Sequence, residues 1–236
     1  MLIRPIKTSV FKEGDDLVGF IRKHVPKLKE DTVLVITSKI VALAEGRTAI
    51  KKDEQTKKKL IHQESDIALK TKYSWLTIRA GVLMSVAGID ESNGNGKFIL
   101  LPKDSFRSAA KLRTILQKVY RVKNLGVLIT DSRTLPLRKG AVGTALGYAG
   151  FKGIKDYRKT PDIFGRFFHV SQANIADGLA SSAVLAMGEG GEQQPLAVIE
   201  GAPVVFSNTT KQSELFIAVH DDLFIPYLSK LLKRKA

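Results

Sequence analysis

The feature that most limits how this chain can fold is the run LGVLITDSRTLPLRKG, from Leu125 to Gly140. Leu125 leads into Val127–Ile129, an uncharged apolar stretch with the pattern of a buried strand. It stops at once on Thr130, Asp131 and Ser132, with Arg138 and Lys139 a few residues on. Whatever the fold, a rigid core element must end in a carboxylate and a hydroxyl side by side.

The flanking segments supply the layers that would bury this strand. Leu17, Phe20, Ile21 and Val25 recur at helical spacing before Pro26. A strand is expected over Val33–Ile36, followed by a short helix from Thr37 or Ser38 to Ala44 that stops at Gly46. Lys51–Leu60 reads as a charged, solvated stretch, either the start of a helix or a mobile loop. WLTIRAGVLMSVAGI looks like paired strands ending in the turn-rich ESNGNGK. Over Ser108–Tyr120, Ala109, Leu112, Ile115, Leu116 and Val119 share one helical face. Ser171 is a candidate N-cap for a helix through Ile175, Leu179, Ala183 and Met187, with Gly188 as its stop. PLAVIEGAPVVF reads as further strand. Glycines at 140, 143, 147, 150 and 153 allow either close approach of a ligand or tight packing. Hairpin-like strands among separated helices predict an α+β fold with mixed or antiparallel sheets, a single unit over residues 1–236.

Composition narrows the chemistry. With no cysteine among 236 residues, disulfides, thiolate nucleophiles and cysteine-bound zinc or iron–sulfur sites are excluded. The N-terminus has no signal-like apolar block and no stretch reaches the length needed to span a bilayer, so a cytoplasmic protein is expected. A formal charge of +15 favours an anionic partner: nucleic acid, an acidic membrane surface or a small polyanion such as a nucleotide. The basic residues are spread along the chain without a recognisable nucleic-acid motif, although Lys51–Lys59 and the basic end of the chain could make nonspecific contacts. GNGKF, at Gly94–Phe98, lacks the spacing and the hydroxyl of a phosphate loop. The four histidines stand far apart and form no triad or HExxH signature.

Three acids share a layout. Asp90 follows an apolar run and precedes a glycine-rich turn, Asp131 ends the Val127 strand, and Glu189 follows the helix ending at Met187. Carboxylates on rigid supports, beside hydroxyl and amide neighbours, are what a hard cation such as magnesium or manganese requires. Taken singly, each is also an ordinary turn residue.

Taken together, ITSKIVALAEGR, AGIDESN, LLPKD, ITDS…PLRKG, GYAGFKGIKDYRKTPDIFGR and NIADGLASSAVLAMGEG resemble the coenzyme F420-0:gamma-glutamyl ligase family, and within it a bacterial branch assigned to folate metabolism. The blocks run in family order from the GDDL segment to Gly201. The resemblance implies an intertwined α+β homodimer that joins glutamate to an acceptor carboxylate, F420-0 or folate, at the expense of GTP or ATP with two Mg²⁺ or Mn²⁺ ions. By the same resemblance Asp90 and Asp131 would hold one ion, Ser132 and Glu189 the second. Ser38, Lys39 and Asn93 would contact the nucleotide, and Met187, Gly188, Glu189, Gly190 and Gly191 would lie against its phosphates. Arg138, and less strongly Lys139, would orient a phosphate or acceptor carboxylate. Two departures stand out: Thr134-Leu135-Pro136-Leu137-Arg138 replaces the family's common Gly-Arg-Pro-Trp-Arg, and Leu43 replaces a lysine. Other readings are a basic nucleic-acid-binding protein that keeps the fold without catalysis, and a metal-dependent nucleotide hydrolase.

Overall fold

In the computed structural model, which describes residues 1–224, the chain opens with β1 (Leu2–Ile6), α1 (Leu17–His24), β2 (Thr32–Thr37) and α2 (Ser38–Ala44). A second group follows: β3 (Thr48–Ile50), α3 (Glu54–Gln63), β4 (Ile67–Lys70), β5 (Trp75–Arg79), β6 (Val82–Ser85) and β7 (Lys97–Ile99). The chain then returns through α4 (Ser105–Tyr120), β8 (Leu125–Thr134) and β9 (Ala141–Ala149). Last come β10 (Ile154–Asp156), β11 (Gln172–Asn174), α5 (Ile175–Met187) and β12 (Leu196–Glu200). The basic stretch Lys230–Ala236 lies outside the described residues.

The main sheet has the order β1-β12-β2-β8-β9. β2 and β8 run parallel at its centre, and every other pairing is antiparallel. Strand alternation divides their side chains between two cores. Leu34, Ile36, Leu125, Val127 and Ile129 pack with residues of α1, α2 and α4, while Val33, Val35 and Leu128 pack with α5. Val127–Ile129 are completely buried. The mixed sheet between helical layers agrees with the α+β expectation.

Spare glycines in β9 set the spacing of these layers. A side-chain carbon at Gly143 would come within 2.5 Å of the Ala180 carbonyl oxygen of α5. One at Gly147 would come within 2.4 Å of the Ser105 carbonyl carbon in α4. At these two positions the glycine ladder is explained by helix–sheet packing.

Several boundaries differ from the sequence expectation. Helix α5 is capped by Asn174, whose side chain accepts from the Asp177 N–H, and not by Ser171. The residues between them pair as β11 with β10. Helix α4 starts three residues early because Asp104 accepts from the Arg107 N–H. Val119 at its far end is exposed. The charged stretch after Lys51 becomes α3, capped by Asp53. The last strand ends at Glu200, where Gly201 turns with φ +63°, so Ala202–Phe206 do not extend it. No helix among the described residues is long and apolar enough to cross a membrane.

Residues 47–101 form a smaller lobe over one end of the sheet. It contains the β3–β7 pair, the β4-β5-β6 sheet and α3 around a small core of Ile61, Ala68, Ile89, Phe98 and Leu100. Its β6 side rests on the body through Val82, Met84 and Leu101, with Leu146 and Phe216 packed against them.

Candidate active site

The carboxyl ends of the two parallel strands make the site. Thr37 pairs with Thr130, after which β2 turns directly into α2 while β8 continues alongside β9 alone. Ser38 and Lys39, in the first turn of α2, thereby face Asp131 and its neighbours. The Ser38 hydroxyl donates to Asp131 Oδ1 at 3.0 Å. Ser132, on the next residue of the strand, donates to Glu189 Oε1 at 2.5 Å. Glu189 is there because α5 ends at Met187 and Gly188, with φ +84°, turns the chain across the sheet end.

The small lobe brings the fourth component. Asp90 is pinned to Ile99 by reciprocal backbone hydrogen bonds of 2.9 Å. Its carboxylate takes the Lys39 ammonium at 2.6 Å and the Ser92 N–H at 2.6 Å. Lys39 also donates to Ser92 Oγ at 3.1 Å.

All these groups line one cleft of about 640 Å³. Of the site residues expected from sequence, it takes in Ser38, Lys39, Asp90, Asn93, Asp131, Ser132 and Met187 through Gly191. Arg138 and Lys139 are elsewhere. The β8–β9 ladder holds until Thr134 pairs with Ala141, so residues 135–140 form the exposed tip of the hairpin, beyond the cleft.

Sequence reading missed part of the lining: Thr8–Phe11, Thr130, Arg133 and Glu192–Gln194. Thr130 had a local signal as the first residue of the polar stop, and Arg133 had one because alternation along β8 puts it on the same face as Asp131. The Thr8 segment reaches the cleft through a long-range backbone bond, Thr8 N–H to the Gln193 carbonyl at 2.9 Å, which no local pattern announces.

The electrostatics of the cleft run against those of the whole chain. Four carboxylates line it (Asp90, Asp131, Glu189 and Glu192) against two cations, Lys39 and Arg133, in a protein of net charge +15. Burial pushes the Asp131 carboxyl up to about 6; the Asp90 charge adds to this and the Ser38 hydroxyl opposes it. At Asp90 burial again opposes ionisation, but the Lys39 ammonium and the Ser92 donors hold the carboxyl below its usual range. A carboxylate destabilised by lost hydration and a nearby like charge is one that a bound cation would stabilise. The donors are all oxygen, which suits a hard divalent ion. They reach the cleft as separate contacts: among the described residues no three His, Asp or Glu side chains form a ready-made cage.

A sequence profile described as F420-0:gamma-glutamyl ligase matches residues 5–201. The chain belongs to that family. Among curated proteins it is 30% identical to the coenzyme F420:L-glutamate ligase of Archaeoglobus fulgidus, over 94% of this chain and 95% of the relative. It is 33% identical to the enzyme of that name from Methanopyrus kandleri, over 84% of each chain. The Methanocaldococcus jannaschii protein of the same name is 40% identical over 61% of this chain and 57% of its own. In this F420-0:gamma-glutamyl ligase family member, the matched segment contains the whole cleft lining, from Thr8 to Pro195.

Proposed function

We propose that the protein is a gamma-glutamyl ligase that joins the amine of L-glutamate to an acceptor carboxylate, using a nucleoside triphosphate and divalent cations. The observation that carries the reading is the acidic cleft of a basic protein, supplied by β8, α2, the loop after α5 and the small lobe. Family membership and the names of the curated relatives support glutamate transfer.

An unactivated carboxylate does not acylate an amine. An acceptor oxygen attacks the γ-phosphorus, the nucleoside diphosphate leaves, and the acyl phosphate is then opened by the glutamate nitrogen with release of phosphate and a proton. Asp90 and Asp131 would hold one divalent ion, Ser132 and Glu189 the second. When bound, such ions neutralise charge on the transferring phosphoryl group. The Lys39 ammonium and the Met187–Gly191 loop suit the phosphates, and Asn93 the remainder of the nucleotide. The Gly188 and Gly190 N–H groups already donate to the Val184 carbonyl and the Glu192 carboxylate, which leaves those of Glu189 and Gly191 for the loop's share. Ser38 fixes the Asp131 carboxylate by its 3.0 Å hydrogen bond, so the donor is oriented before substrates arrive.

Leu43 lines the cleft where family members carry a lysine, which opens the choice between GTP and ATP. Leu135 and Leu137 at the hairpin tip replace an arginine and a tryptophan, which brings a folate-type acceptor into contention with F420-0. A homodimer is supported by apolar side chains standing in solvent: Leu137 at 103% exposure, Ile163 at 92% and Phe164 at 83%.

The test incubates purified protein with L-glutamate, GTP or ATP, Mg²⁺ or Mn²⁺, and either F420-0 or tetrahydrofolate, and weighs the products by mass spectrometry. One acceptor gains the mass of a glutamyl residue, and chelation by EDTA abolishes the gain. Phosphate release that is indifferent to glutamate and acceptor identifies a nucleotide hydrolase and overturns the reading.

A further inference from the structure

Four buried side-chain polar atoms lack a hydrogen-bond partner among the described residues: Arg79 Nη1, Thr130 Oγ1, Arg133 Nε and Gln194 Oε1. Three of the four line the active-site cleft. Buried polar groups are ordinarily satisfied, so a concentration of unsatisfied ones in a single cavity points to a ligand that completes them. Arg133 has the largest unmet demand, because its guanidinium makes no ion pair or hydrogen bond within the described residues. Arg133 stands apart from the other arginines that are not exposed, Arg47, Arg79 and Arg113. Arg47 and Arg79 share Glu64, Arg158 holds Asp156, and Arg113 donates to the Leu125 carbonyl and to Asn208.

We propose that Arg133 binds a carboxylate of one of the two amide-forming substrates, either L-glutamate or the acceptor, through its guanidinium fork. This rests on the ligase reading above. Arg133 sits two residues beyond Asp131, paired with Val142, on the stretch of β8 that leads away from α2 and towards the hairpin tip. Alternation turns it to the Asp131 face of the strand, whereas Ser132 turns the other way and meets Glu189 at the start of the glycine-rich loop. The loop amides proposed for phosphate are therefore on the opposite face from Arg133. Met84, Ser85 and Val86 of the small lobe line the same cleft and give it a partly apolar wall. A planar fork with paired donors matches the two oxygens of a carboxylate, and partial exclusion of water strengthens the contact. The reaction also needs such a group. L-Glutamate arrives with two carboxylates that do not react, in a cleft that already carries four protein carboxylates. Lys39 and the proposed ions are engaged with the acids and the nucleotide, so a further fixed cation would offset the repulsion left for an unreacting carboxylate.

The test compares wild type with R133M, which keeps the aliphatic stem, and R133K, which keeps the charge without the fork. KM is measured separately for L-glutamate, the acceptor and the nucleotide. Binding of L-glutamate, F420-0, tetrahydrofolate and GTP is measured in parallel by calorimetry, which needs no turnover. R133M is expected to weaken one carboxylate substrate by between about 10- and 100-fold, in both KM and affinity, while the nucleotide shifts less than about 2-fold. R133K recovers part of the loss, and the substrate whose constant moves identifies the carboxylate. A shift confined to the nucleotide overturns the proposal in favour of a phosphate contact. Unchanged constants in both variants, or a wild type that binds none of the carboxylate probes, overturn it as well. If wild type binds L-glutamate but forms no glutamylated product, the ligase reading fails while calorimetry still decides the role of Arg133. If R133M does not fold, R133K carries the same comparison with a smaller expected shift of a few-fold.

Discussion

The main sheet and the lobe of residues 47–101 both deliver acids to the cleft, but they are held together differently. Asp131 and Ser132 continue a strand whose Val127–Ile129 are completely buried between two helical layers. Asp90 belongs to a lobe with a small apolar core and charged contacts around it: Glu64 between Arg47 and Arg79, and Glu91 between Lys51 and Lys57. Two of the four proposed metal donors, Asp131 and Ser132, are thus fixed by packing, whereas Asp90 is held by polar contacts that can rearrange more cheaply. The lesson is a division of labour. The sheet sets where chemistry happens, while the lobe can adjust Asp90 and Asn93 to what is bound.

The sharpest test of that division changes the sheet donor without disturbing its packing. Asp131→Asn keeps shape and a hydrogen bond to Ser38 while removing the charge. Turnover is expected to fall by at least about 1000-fold. The melting temperature should hold or rise, because burial already disfavours this carboxylate. A variant with wild-type product formation in the mass-spectrometric assay would remove Asp131 from the proposed metal set.

Next in size is a matched pair of core truncations. Leu128→Ala opens the core beneath α5 and should cost about 3 kcal/mol of global stability by chemical denaturation. Ile61→Ala removes a comparable side chain from the lobe core and should cost about 2 kcal/mol. Its signature should be local: amide hydrogen exchange rising across residues 47–101 while the central strands stay protected. Equal acceleration throughout the molecule would show one cooperative unit and erase the distinction.

The same contrast governs what could be read in advance. Elements of the main body announce themselves by uninterrupted apolar runs or strong helical periodicity, so Val33–Ile36, Ala109–Leu116 and Val127–Ile129 were readable from composition and spacing. Caps were harder, because several polar residues compete within one turn of each helix start. Asn174 prevails over Ser171 only because β10 pairs with the residues between them. At the site, Asp131 was visible as a polar stop to a buried strand. Arg138 stands at the hairpin tip outside the cleft, a position that residue spacing does not reveal because it does not show how far a hairpin ladder continues. Thr8 and Gln194 left no local trace at all: what brings them to the cleft is tertiary contact between distant segments.

The smallest expected effect sharpens the comparison most. Glu64 accepts a hydrogen bond from Arg47 Nη2 at 2.5 Å and forms an ion pair with Arg79 Nη1 at 2.9 Å, with its side chain 15% exposed. Arg47 leads into β3 and donates through Nε to the Leu101 carbonyl; Arg79 ends β5 and donates to the Pro102 carbonyl. Glu64 therefore ties both arginines to the end of α3, and both arginines tie the lobe to the chain leading into α4. Glu64→Gln keeps the volume and one acceptor oxygen but leaves Arg47 without its counter-charge and Arg79 with only the weaker field of Asp66. Burial already lowers the Arg79 pKa, and Glu64 is the main group opposing that shift. The expected loss is about 1–2 kcal/mol, smaller than for a fully buried pair because each partner keeps some access to water. Since Asp90 and Asn93 are carried by the lobe, KM for the nucleotide should rise a few-fold while kcat at saturation is nearly kept. A drop in kcat with unchanged KM would mean that the lobe is as rigidly coupled to the chemistry as the sheet is.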